Sequence, residues 1–102
     1  MTTYLMLEVV DQVTRRVRGA HWLPEHECLR LDRQLGRLFD EPEFPVSARE
    51  KLSNARYWLS IFADDGQCVQ EGGRDQVRRW RVEDLEVLRR LVVDATPSAR
   101  SG

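Results

Sequence analysis

The sequence predicts a mainly α-helical protein, a single small domain of three to four helices. Three observations lead to this fold class. Apolar residues recur every three or four positions in several segments, helix-ending residues separate these segments, and 102 residues of which 41% are hydrophobic suffice for one core only. We expect one globular domain over residues 1–95, followed by a flexible C-terminal tail at 96–102, which is rich in Ser, Pro and Gly.

The N-terminal stretch fits two patterns. Between Thr3 and Arg18 an apolar stripe has helical spacing, and Gly19 suits the residue after a helix. Alternating apolar residues from Leu5 to Val9 instead suggest a β-hairpin that turns at residues 11–14, which would make the fold α+β. The longer stripe favours the helix; its members are Met6, Val9, Val10, Val13 and Val17.

A second helix is predicted from Pro24 to Asp40. Proline is favoured in the first helical turn, and the acidic residues Glu25 and Glu27 suit the positive end of the helix dipole. The residues at 40–45 include two prolines and end the helix. Its apolar side consists of Cys28, Leu31, Leu35 and Leu38.

A third helix is predicted from Ser47 to Ala63. Ser47 and Glu50 match the S-x-x-E capping box, and Gly66 suits the C-terminal end. The apolar stripe between them predicts one buried face, and Trp58 flanks it; the stripe consists of Ala48, Leu52, Ala55, Leu59 and Phe62.

The last helix is predicted from Val82 to Ala95. Extending it back to Asp75 would put Arg81 and Asp84 on its apolar face, so we expect a break before Val82. A short hairpin turning at residues 72–73, with arms at 67–71 and 74–82, is the alternative for the preceding segment.

Motifs for metal binding and catalysis are weak, so we expect no enzyme, no cofactor and no metal site. His21, His26, Cys28 and Cys68 lack the paired spacing of a zinc site, and His26 and Cys28 point to opposite sides of a helix. The sequence contains no phosphate-binding glycine loop and no nucleophile elbow. Paired acids such as those at 64–65 are typical of turns and helix starts.

The compartment is expected to be the cytoplasm, without membrane association. The longest apolar run covers residues 4–7, far below the roughly 20 residues that span a bilayer, and the N-terminus lacks a basic signal-peptide region. With no export signal, both cysteines are expected to be reduced.

Arginine dominates the cations, with 15 arginines and a single lysine, Lys51. Guanidinium groups and tryptophans are enriched at binding hot spots. The first predicted contact surface comprises Arg74, Arg78, Arg79, Trp80 and Arg81, and the second comprises Arg15, Arg16 and Arg18, with Trp22 as a further anchor.

These residues predict a non-enzymatic interaction module that binds another protein and modulates it, as an inhibitor or adaptor does. We expect a small bacterial or phage regulator that forms a homodimer to cover leftover apolar surface. A nucleic-acid-binding regulator using the same arginines is the alternative. It is less favoured because the net charge is -1.

Overall fold

The structure is a computed structural model that describes residues 2–20, 23–62 and 72–95, without the side chains of residues 60–62, 74 and 75. Within these residues the chain forms four α-helices and no strand, which confirms the predicted helical class. The helices are α1 (Thr3–Gly19), α2 (Glu25–Gly36), α3 (Arg49–Phe62) and α4 (Arg74–Asp94), with 3-10 turns at Arg37–Asp40 and Val46–Ala48. The predicted tail at 96–102 lies outside the described residues.

The helices form an antiparallel bundle in which each helix packs against the next and α4 closes onto α1. The direction of α4 relative to α1 follows from two ion pairs, Asp11 with Arg89 and Arg18 with Glu86, because the numbering rises on α1 as it falls on α4. The bundle measures 44 × 22 × 21 Å. Its most extensive interface lies between α3 and α4.

The N-terminal ambiguity is resolved in favour of a helix, and the hairpin alternative is wrong. Thr2 caps α1, since its hydroxyl oxygen accepts a hydrogen bond from the Leu5 N–H at 3.2 Å. The stripe is buried at its predicted positions except Val9, which is half-buried. The helix includes Gly19 and is therefore one residue longer than predicted.

The ends of the second and third helices differ from prediction. The α-helical part of α2 ends at Gly36, and the chain continues to Asp40 as a 3-10 turn. Helix α3 begins at Arg49, so the predicted capping box is wrong: Ser47 lies inside a preceding 3-10 turn in which the Ala48 N–H donates to the Pro45 carbonyl at 3.1 Å. Residues 63–66 lie outside the described residues.

Helix α4 is continuous from Arg74, so the predicted break before Val82 is wrong. The charged residues on its inner side contact α3: the Arg81 Nη1 atom donates to the Trp58 carbonyl at 3.2 Å, and Asp84 pairs with Lys51 at 3.2 Å. The residues at 74–82 are helical and do not form the second arm of a hairpin. The other proposed arm lies outside the described residues.

Two glycines precede α4 in a conformation that other residues rarely adopt. Gly72 and Gly73 have φ angles of +104° and +101°. The paired glycines therefore do mark a backbone conformation that favours glycine, and it leads into a helix.

The core between the helices is built almost entirely of aliphatic side chains. Leu, Val and Ala dominate it, and the single charged member among the described residues is Arg81, whose exposed fraction is 0%. No helix in the described parts of the chain combines the length and apolar character needed to cross a membrane.

The burial of Arg81 predicts a sharp contrast between two arginines on α4. We expect Arg81→Ala to lower the free energy of unfolding by about 2–4 kcal/mol, because it leaves a cavity and removes the hydrogen bond to the Trp58 carbonyl. Arg79 is exposed, so Arg79→Ala should change stability by less than about 0.5 kcal/mol. Urea unfolding of both variants measures the difference, and equal values would contradict the orientation of α4.

Candidate functional site

The bundle brings members of both arginine clusters to one surface. Arg18 of α1 and Arg78 and Arg79 of α4 line a shallow cleft of about 490 Å³ between the two helices. Glu83 and Glu86 of α4 line it as well. We call this the α1–α4 cleft, and its mixed charge differs from the continuous basic patch that adjacent arginines in the sequence would suggest.

The three arginines near the end of α1 point to three different neighbours. Arg15 pairs with Glu8 on the same helix at 3.4 Å. Arg16 pairs with Glu27 of α2, and Arg18 pairs with Glu86 of α4. Only Arg18 therefore joins the α1–α4 cleft, and the three do not form a single binding patch.

The Arg16–Glu27 pair is bidentate. The Arg16 Nε and Nη2 atoms donate to the two Glu27 carboxylate oxygens, the second at 2.9 Å. This hydrogen bonding lowers the pKa of the Glu27 carboxyl and raises the pKa of the Arg16 guanidinium, while desolvation acts against both shifts. Arg30 adds a weaker contact to Glu27 at 3.4 Å. Both groups thus stay charged at neutral pH and join α1 to α2.

The arginine-rich segment of α4 is divided by its helical geometry. Arg78 is half-buried and donates to the Ala20 carbonyl at 3.4 Å, Arg79 faces solvent, and Arg81 is buried against α3. Arg74 begins the helix, and its side chain lies outside the description. Arg81 has no surface to offer a partner, so we remove it from the predicted contact surface.

Trp80 lies at an aromatic cluster between α3 and α4. Its ring centroid is 5.1 Å from that of Trp58, and the Tyr57 ring is 5.4 Å from Trp58. Both tryptophans are half-buried, whereas Tyr57 is 57% exposed. The predicted anchor Trp80 is therefore partly exposed, and its ring packs against that of Trp58.

A second shallow cleft, of about 520 Å³, opens beside this cluster. We call it the aromatic cleft; its lining residues are Asn54, Tyr57, Trp58, Trp80, Glu83 and Asp84. Sequence reasoning missed Tyr57 and Asn54, because their proximity to Trp80 depends on the register between α3 and α4. Trp22, the other predicted anchor, lies outside the described residues.

Helix α2 and the 3-10 turn that follows it carry a further basic surface that was not assigned to a site from the sequence. Arg33 and Arg37 line a cleft with Arg56 of α3. Arg56 makes a bidentate ion pair with Asp32, at 2.7 and 3.0 Å, and its guanidinium also lies 5.6 Å from the centre of the Phe39 ring. Arg56 therefore helps to join α2 to α3, and the helical spacing of Arg33 and Arg37 was the visible signal for this surface.

The candidate metal ligands occupy different environments. His26 is exposed, while Cys28 is buried and its thiol donates to the Leu23 carbonyl at 3.9 Å. His21 and Cys68 lie outside the described residues. Within the described residues, no group of three or more His, Cys, Asp and Glu side chains is placed to hold a metal ion.

Neither a protein-family model, nor a curated protein, nor a solved structure matches this chain. Its function must therefore be inferred from its own surface. Two clefts meet along the exposed side of α4, since Glu83 lines both of them. This side of α4 offers an exposed guanidinium, a half-buried indole and two carboxylates for contact with another molecule.

The shifted pKa of Glu27 predicts a pH-dependent loss of stability. Because the folded-state pKa is below the ordinary value, the stabilisation is present above the unfolded-state pKa of about 4.3 and is lost as the pH falls through the lower, folded-state pKa. We expect Glu27→Gln to be less stable than the natural protein at pH 7, and we expect the two to converge in acid.

Thermal unfolding followed by circular dichroism across this range measures the effect. Glu43→Gln is the matched control, because Glu43 is exposed in the loop before α3. A difference between Glu27→Gln and the natural protein that stays constant into acid would contradict the assignment.

Proposed function

We propose that this protein is a non-enzymatic interaction module that binds another protein through the exposed side of α4 and so modulates it. The observation that carries the proposal is the position of exposed Arg79 beside half-buried Trp80, which rests on Trp58. Arginine and tryptophan are the residues most enriched at binding hot spots, and a supported indole loses little freedom on binding.

The charge pattern of this surface supports recognition of a protein. The α1–α4 cleft places Arg79 and Glu83 next to the Arg18–Glu86 ion pair, so charges of both signs lie close together. Such a pattern selects a partner by complementary charges and disfavours wrong partners. Among the other predicted contact residues, Arg78 lines the same cleft, whereas Arg74 and Trp22 remain part of the proposal without a described side chain.

A nucleic-acid-binding regulator remains the alternative. It would require the same arginines to contact phosphates together. Arg16 and Arg18 are already paired with carboxylates of neighbouring helices, and Arg81 is buried, so fewer guanidinium groups are left for such contacts. The geometry therefore favours the protein-binding proposal.

The cellular setting forms part of the same proposal. We place the module in the cytoplasm, where the buried thiol of Cys28 stays reduced, and we regard a small bacterial or phage regulator as the matching class.

The binding proposal predicts loss of a specific set of partners when Arg79 is reversed in charge. The tagged protein, Arg79→Glu and Arg90→Glu are used as baits in lysate of the native cell. Arg90 is the matched control because it is also exposed on α4, three helical turns further on. We expect partners that are retained by the natural protein and by Arg90→Glu but lost from Arg79→Glu.

A nuclease-treated lysate distinguishes the alternative. Partners that persist after nuclease treatment support protein recognition. If every partner disappears after this treatment, or if Arg79→Glu and Arg90→Glu retain the same partners, the proposal is wrong.

We also propose that the protein forms a homodimer. Tyr4 and Leu5, which are adjacent on α1, are 72% and 48% exposed, and large exposed apolar groups favour self-association. Light scattering at high concentration should give twice the chain mass, and Tyr4→Ser with Leu5→Ser should give the monomer mass. Leu29→Ser is the control, since Leu29 is half-exposed near the opposite end of the bundle. A monomer at high concentration would exclude the dimer.

A further inference from the structure

The aromatic cleft has a geometry suited to a planar ligand group. Tyr57 and Trp58 meet edge to face, with 64° between their planes, and Trp58 and Trp80 are tilted by 49°. These angles turn the three rings in different directions around a shallow cleft. A ligand that enters it can contact the face of one ring and the edges of others.

The charge of the aromatic cleft is opposite to that of the basic surface on α2. No arginine or lysine is among its described lining residues, and Glu83 and Asp84 are both present. Asp84 is engaged by Lys51 of α3 at 3.2 Å. Glu83 is exposed and has no ion pair among the described residues, so its carboxylate is available to a ligand.

Aromatic faces and a carboxylate together select a cation. The face of an indole carries negative charge density, and a guanidinium stacks on it more readily than an ammonium because it is planar and less strongly hydrated. An anion would be repelled by the exposed Glu83 carboxylate, whereas the charge of Asp84 is already balanced by Lys51. A purely apolar group would bury the Glu83 carboxylate without a partner, which is costly.

We propose that the aromatic cleft binds an arginine side chain of the partner protein, stacked on Trp80 and Tyr57 and paired with Glu83. This assignment rests on the proposed protein-binding function and specifies the chemistry of its partner. The openness of the cleft fits a side chain presented by a polypeptide, because the backbone of the partner can lie across α3 and α4.

The experiment uses a short capped peptide in which arginines alternate with glycine and serine, and the same peptide with neutral citrulline in place of arginine. Titration is followed by nuclear magnetic resonance of the indole N–H groups, which reports on Trp58 and Trp80 directly. We expect saturable shifts of both signals with the arginine peptide and binding about tenfold weaker with citrulline.

Two variants test the cleft without disturbing the core. Glu83→Gln keeps the shape of an exposed side chain, and Tyr57→Ala removes a ring that is 57% exposed. Each should weaken arginine-peptide binding about tenfold. Glu25→Gln is the matched control, because it removes the same charge from exposed surface of α2 and should leave binding unchanged.

The outcomes separate this inference from the proposed function. Equal affinity for the arginine and citrulline peptides, no saturable shift, or unchanged binding by Glu83→Gln overturns the arginine site, while the Arg79-dependent partners can still be retained. Conversely, arginine-peptide binding that depends on Glu83 supports the site even if the bait experiment finds no Arg79-dependent partner.

Discussion

The buried guanidinium of Arg81 is the contact on which the arrangement of this surface depends. Its Nη1 atom donates to the Trp58 carbonyl at 3.2 Å, and because the side chain is fully buried this contact restricts how α4 can rotate against α3. Because residues of a helix are separated by 100°, fixing Arg81 inward turns Arg79 to solvent and leaves Trp80 at the boundary, against Trp58. The buried position of Arg81 therefore determines both the packing of α4 on α3 and which residues of α4 face solvent.

Ion pairs join each neighbouring pair of helices, and they account for much of the charge. Arg16 links α1 to α2, Arg56 links α2 to α3, Lys51 links α3 to α4, and both Arg18 and Arg89 link α4 to α1. Exposed pairs of this kind each contribute at most about 1 kcal/mol, so they add little to stability. We expect them to act on specificity, since mismatched charges would disfavour other packing orders of helices with similar aliphatic stripes.

Local signals predicted the helices well. The stripe from Met6 to Val17 and the apolar spacing of α2 and α3 depend only on neighbours in the chain. The structure confirms these faces, apart from Phe62, whose side chain lies outside the description. The break before Val82 was wrong because the partners of Arg81 and Asp84 lie on α3, more than 20 residues away. The same limitation applies to Tyr57, whose proximity to Trp80 depends on helix register.

Burial decided which predicted contact residues remain candidates. Arg79 and Arg81 look equivalent in the sequence, yet one is exposed and the other has no exposed surface. The capping box at Ser47 shows a related difficulty, because a 3-10 turn satisfies the local backbone before α3 begins. Short-range motifs can be recognised in the sequence. Which arginines of a cluster are buried and which are exposed depends on how all the helices pack together.

The neighbouring indoles of Trp58 and Trp80 also affect the near-ultraviolet circular dichroism of the molecule. Two chromophores with centroids 5.1 Å apart on different helices interact electronically, and this interaction declines steeply with separation. Any event that separates α3 from α4 should therefore change the near-ultraviolet spectrum. The Trp58–Trp80 pair thus reports on the distance between α3 and α4, at the surface where we expect the partner to bind.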